Sequence, residues 1–184
     1  TEGRLIYTGT GISSSTIVSN NKTGELTIGT ADTVADIINK EGNEVSLSTI
    51  TVNEGSKFKA NASNLITEIG IVNDGELTFT GGINNSTITR SRSGDEQLLV
   101  EGNLQNKAAI EQGTIIVNSD FFDNVRGSSI TATQFTAKTN FITDAYDLSI
   151  STITLGDADS ANSVLRLTDD EIQGKDIVLD SYIN

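Results

Sequence analysis

Residues 71–82 read IVNDGELTFTGG, and the chain states parts of this phrase three times. Residues 51–60 read TVNEGSKFKA, so Val52, Asn53, Glu54 and Gly55 answer Val72, Asn73, Asp74 and Gly75. Residues 22–30 read KTGELTIGT and repeat its second half. The glycines of the phrase, Gly3, Gly24, Gly55 and Gly75, are 21, 31 and 20 positions apart. A coil of three short strands with its turns needs about 20 residues, a period within the range of solenoid repeats. A β-sandwich gives no reason for such a period.

Around the phrase, short runs alternate apolar and polar residues: GRLIYTGT, ELTIGT, SLSTITV, ELTFTG, GTIIVNS, SSITATQFTA, LSISTITL and KDIVL. Most carry β-branched residues and end in Gly, Asn or Asp, the pattern of short strands joined by turns. One coil cannot bury its inner side chains alone, but stacked coils bury a continuous column. The reading is an all-β chain of stacked parallel coils spanning 1–184 as a single β-solenoid segment. About eight coils at ~4.8 Å each make a rod roughly 40 Å long. Leu26, Phe58 and Leu77 or Phe79 are expected to stack inward. Val72 is expected to close one inward-facing strand, with Asn73, Asp74 and Gly75 forming the corner.

The spacing of 31 calls for about ten extra residues. TADTVADIINK, 30–40, supplies them. Val34, Ile37 and Ile38 fall at i, i+3 and i+4, with Thr30 or Asp32 available as a cap and Gly42 beyond the end. The expectation is a short helical insertion, as helix or loop, that modifies one surface. SRSGDEQ, 91–97, is charged and turn-like. SDFFDNVRG, 119–127, breaks the strand pattern and sets Phe121 and Phe122 beside Asp120 and Asp123. The phenylalanine pair reads first as a plug over the core. The candidate contact surface is Asp32, Asp36 and Lys40 together with Asp120, Phe121, Phe122, Asp123 and Arg126.

Composition excludes much chemistry. The 184 residues contain no Pro, Cys, His, Met or Trp, and about a third are Ser, Thr or Asn. Without Cys there are no disulfides, thiolate nucleophiles or Cys-ligated zinc. Without His the commonest general base is absent. The net charge of −13 disfavours a phosphate backbone, so no nucleic-acid partner is expected. No long apolar run is present, so this segment is not expected to insert into a membrane. The chain opens on Thr1, which suggests a piece cut from a longer rod.

The residues bear on three site chemistries. Asp157 and Asp159 open a calcium-loop pattern, but Ala161, Asn162 and Thr168 stand where it needs an oxygen ligand, Gly and Glu. A cation site at Asp157, Asp159, Asp169 and Asp170 is the residue of that idea; the default is a solvated acidic stretch, and no metal is assigned. Paired carboxylates could cut glycans, but 25 acidic residues make pairs by chance, and no Trp supplies a sugar platform. No catalytic residue and no cofactor is therefore expected. Asn21, Asn61 and Asn85 open glycan acceptor triplets, which arise by chance in so Asn-, Ser- and Thr-rich a chain.

VNDGELTFTGG, GELTIGT, GRLIYTGTG and ISTITLGDADSANSVLRL together resemble the passenger regions of bacterial autotransporters, most of all those of the rickettsial surface cell antigen family. The resemblance is one of texture, best over 3–30, 66–83 and 150–167, and does not extend over 119–147. It implies a right-handed parallel β-helix, exported and displayed at the bacterial cell surface. It further implies host-cell adhesion or a rigid surface scaffold, with a host-cell surface protein or glycan as partner. The rest of the passenger and a C-terminal translocator barrel would be its other partners. The family offers no catalytic residues to carry over. Two other readings are a glycan-processing β-helix of the phage tailspike or polysaccharide lyase type, and a self-assembling surface-layer or matrix protein.

Overall fold

The computed structural model describes residues 3–125, 127–137, 140–143, 147–155, 165–167 and 176–179. Alternating β-branched residues give short strands, and every strand pairing among these residues is parallel. Each strand pairs with those roughly one period before and after it, not with its neighbours in sequence. The result is a solenoid of about seven turns, consistent with a right-handed β-helix. That hand is the one parallel crossovers favour.

Three faces run along the rod. The first begins with Arg4–Tyr7 and Glu25–Ile28 and continues through the second halves of Val45–Val52 and Leu65–Asn73. The second stacks Thr10–Ser13, Asp36–Asn39, Lys57–Ala60, Glu76–Phe79 and Gln97–Val100. Further along, Ile110–Val117, Ser129–Ala137 and Asp147–Leu155 each run across the corner between these two faces. The third face is a separate sheet of Gly82–Asn84, Leu104–Asn106, Phe121–Asn124, Asn140–Thr143 and Leu165–Leu167, while in the early coils Ile17–Val18 pairs with the start of Val45–Val52.

Register fixes the period. On the first face Leu5, Leu26, Ile50, Ile71, Ile88, Ile110, Ile130 and Leu148 lie in one column. Its steps are 21, 24, 21, 17, 22, 20 and 18 residues. The period therefore continues beyond Gly82, where the sequence phrase fades. Leu26 through Ile130 in this column are buried. The second face has its own inner column of Ile37, Phe58, Leu77, Leu98, Ile115, Phe135 and Ile153, all buried. Leu26, Phe58, Leu77 and Phe79 thus point inward as the sequence predicts.

The interior is not wholly apolar. Asn84, Asn106 and Asn124 are buried one above another on the third face. The Asn84 amide donates to Asn106 Oδ1 at 2.8 Å, and the Asn106 amide to Asn124 Oδ1 at 2.7 Å. Asn73 donates to Gln112 Oε1 at 2.6 Å, and both residues are buried. In the Asn84–Asn106–Asn124 ladder each amide meets its counterpart one strand spacing away, whereas Asn73 and Gln112 stand two coil steps apart.

Three sequence expectations are corrected. First, 30–40 holds no helix. Residues 29–35 are a loop, and Asp36–Asn39 is a strand with Ile37 and Asn39 buried and Asp36 and Ile38 exposed. An isolated eleven-residue helix is marginal in water. A strand here takes backbone pairing from both Thr10–Ser13 and Lys57–Ala60. Val34, the first residue of the supposed helical stripe, is 61% exposed.

Second, the spacing of 31 is a change of face. Gly24 precedes a first-face strand, whereas Gly55 and Gly75 precede second-face strands. ELTI at 25–28 and ELTF at 76–79 are the same phrase in different places. Third, Val72 faces outward, in register with Thr51 and Thr89, while Ile71 and Asn73 face inward. The corner itself is only Asp74–Gly75.

Candidate functional site

The corner between the first and second faces is where the coils differ most. Most coils turn it in one or two residues, such as Thr8–Gly9, Asp74–Gly75 or Gly113. Among the described residues three coils turn it with longer loops, at 29–35, 53–56 and 90–96. The inner columns hold the strand ends in register, so extra residues here can only project outward.

Loop 90–96 folds back along the corner. At its base the Arg90 guanidinium donates through Nη1 to Glu96 Oε1, and its Nε lies 3.5 Å from Glu111 Oε1. Glu96 is a carboxylate only 1% exposed, so this pair sits in a largely dry place. The hydrogen bond to Glu96 is the main reason the Arg90 pKa rises further above its ordinary value. Gly113 makes the room: a Cβ there would come within 2.7 Å of Glu96 Oε1. Beyond the base, Ser91 donates its N–H to Asp74 Oδ1 at 2.8 Å and its hydroxyl to Asp74 Oδ2. Arg92 reaches further and donates to Glu54.

A groove of about 320 Å³ lies beside this loop, lined by Glu54, Lys57, Asp74, Glu76, Asp95 and Gln97. Asp36, Lys57 and Glu76 stack in register on the adjoining second face. Lys57 Nζ donates to Glu76 Oε2 at 3.0 Å. That hydrogen bond, with the charges of Glu76 and then Asp36, raises the Lys57 pKa above its ordinary value. Lys59 pairs with Glu101 on the same face. Three of the four groove carboxylates are thus held by the chain's own donors.

The contact residues expected from sequence fall in two separate places. Asp32 is exposed in loop 29–35, Asp36 is exposed and lies in register with Lys57, and Lys40 is exposed at the opposite end of the Asp36–Asn39 strand. Lys40 borders a second, more apolar slot of about 470 Å³ with Ile12, Ile38 and Thr80. Asp120 is exposed ahead of Phe121–Asn124 on the third face, four coils along. At ~4.8 Å per step that is roughly 19 Å away along the axis. The structure does not bring the two groups together.

Phe122 is fully buried and meets Phe135 edge-on at 5.9 Å, so it belongs to the core and presents no contact surface. Phe121 is half-buried, and Asp123 accepts from Gln105 Nε2 at 3.0 Å. Arg126, and the acidic residues Asp157, Asp159, Asp169 and Asp170, lie outside the described residues. Among the described residues no group of three or more acidic side chains is placed to hold a metal. No described helix is long and apolar enough to cross a membrane, which says nothing of β-barrels.

Sequence reasoning missed Glu54, Asp74, Arg90, Arg92 and Glu96 as a connected set. The available signal was RSRSGDEQ, 90–97, whose two arginines and two acids stand out in a Thr-rich chain. No protein-family model, curated protein or solved structure matches the chain.

Proposed function

We propose that the chain is a non-catalytic segment of an exported bacterial surface passenger of the autotransporter kind, acting in host-cell adhesion or as a rigid surface scaffold. The observation that carries this reading is the unbroken parallel stacking of coils. Such stacking makes a stiff rod whose side chains outside the core are free to vary. The resemblance of the repeat phrases to autotransporter passengers supplies the bacterial surface setting. In this account the segment stands at the cell surface, joined to the rest of its passenger and anchored through a translocator barrel.

The looped corner is the natural place for a host-cell protein or glycan to touch, because there the chain departs from its period. Glu54, Asp74 and Glu76 already have partners within the chain. Carboxylates so engaged are poorly set up for acid–base work on a glycan, which supports a binding or scaffold role over a glycan-processing one.

The test is direct. Fluorescently labelled chain is offered to cultured mammalian cells, alone and in competition with whole bacteria displaying the parent protein. Adhesion predicts saturable binding that the unlabelled chain blocks and that charge-reversing changes in loops 29–35 and 90–96 weaken. No saturable binding and no competition would remove the adhesive role and leave the scaffold.

A further inference from the structure

Loop 90–96 is held in two ways that differ in kind. Its base is the Arg90–Glu96 pair with Glu111 beside it, and the Arg90 and Glu96 side chains are 20% and 1% exposed. Its outer part is clasped by Ser91 on Asp74 and by Arg92 on Glu54, where the Arg92 and Glu54 side chains are 54% and 70% exposed. Exposed ion pairs are weak and screened by salt, whereas truncating a buried pair costs far more. The base is therefore the fixed end and the clasp the releasable one.

Nothing in the stacking of the coils depends on the clasp. Ile88, on one side of the loop, sits in the first-face column, and Leu98, on the other, sits in the second-face column. Both are fully buried. The loop also supplies one wall of the corner groove through Asp95, facing Glu54, Lys57, Asp74 and Glu76. Releasing the clasp would free Glu54 and Asp74 and open that wall in one movement.

We propose that residues 91–95 are a strap that swings away from the corner on the Arg90–Glu96 anchor while the coils stay stacked, and that this motion controls access to the groove. Residue-resolved amide exchange on the full chain tests it. The Ser91 amide, which donates to Asp74, reports the clasp; the Ile88 amide, which donates to the Ala109 carbonyl, and the Leu98 amide, in a strand paired on both sides, report the coils. Raising salt from about 20 mM to about 0.5 M, or making Arg92→Ala, should speed Ser91 exchange by about two- to fivefold, the range one exposed ion pair supports. Ile88 and Leu98 should exchange far more slowly than Ser91 under every condition, and the melting temperature of Arg92→Ala should fall by no more than about 1–4 °C. Unchanged Ser91 exchange under both treatments would overturn the strap. So would a Ser91 amide as slow to exchange as Ile88 and Leu98, which would mean that the loop opens only with the coils.

Discussion

Asn106 is the residue on which the polar interior turns. Its side chain accepts from Asn84 and donates both to Asn124 and to the Ala108 carbonyl. Removing one partner of a buried hydrogen bond leaves the other without compensation, which costs about 1–3 kcal/mol. Asn106→Ala should lower stability by about that amount, read as a shift in the urea midpoint at unchanged slope. Gly75 carries a different constraint: a Cβ there would stand 2.4 Å from the Ser56 carbonyl oxygen and 2.5 Å from that of Asn53. Gly75→Ala should therefore cost about 1–3 kcal/mol through a forced backbone shift. Gly42→Ala offers the contrast, because that site has open space and its cost comes from its φ of +85°.

Lys57 gives a pH signature at the same scale. Its folded pKa is raised by Glu76 and Asp36, so protons are bound more tightly in the folded state. The stabilisation is fully present below the ordinary lysine pKa and is lost as pH rises through the higher folded value. The melting-temperature difference between the parent and Lys57→Met should be small and constant near neutrality, and should vanish in strong alkali. A difference that grows with alkali would contradict the pairing. The half-exposed lysine keeps the effect small.

Among elements, the strand Asp36–Asn39 separates what the sequence shows from what it hides. Val34, Ile37 and Ile38 satisfy a helical stripe, while DIIN runs polar, apolar, apolar, polar and shows no alternation of its own, so the local sequence favours the wrong period. What decides is pairing with Gly11–Ile12 on one side and Phe58–Lys59 on the other, which only the folded chain contains. The strand assignment makes Ile37 and Ile38 opposites. Ile37→Ala should cost about 2–5 kcal/mol as a core truncation, while Ile38→Lys should stay within about 0.5 kcal/mol. A helix packed through Val34, Ile37 and Ile38 would make both costly.

The legible part of the fold was its period and its inward apolar residues, because identical coils repeat their chemistry. Leu26, Phe58, Leu77 and Phe79 could be placed for that reason. The inward polar residues could not: Asn73 reads as part of a corner, and only the stacking of one amide on another makes it, Asn84 and Asn106 core. The corner site was hidden for a similar reason. Arg92 and Glu54 are 38 residues apart, and no local pattern joins them. Phe122 was ambiguous between plug and contact, and its packing on Phe135 settles it as core.

At the scale of the whole molecule, the rod explains how so Thr-rich a chain, with 35% apolar residues, builds a core. Each coil contributes a few inward side chains, and stacking joins them into columns that no single coil could shield. The loops at 29–35 and 90–96 are tolerated because the columns on either side keep their register. The central claim is that axial distance grows by one strand spacing per coil. Paired spin labels on outward positions of the first face measure it. Thr51 and Thr131 follow Ile50 and Ile130, four column steps apart, and Ser149 follows Leu148, one step further. The account predicts label separations near 19 Å for 51–131 and near 24 Å for 51–149, at ~4.8 Å per step and broadened by the label linkers. Separations that fail to lengthen from the first pair to the second, as antiparallel hairpins in a sandwich would give, would contradict it.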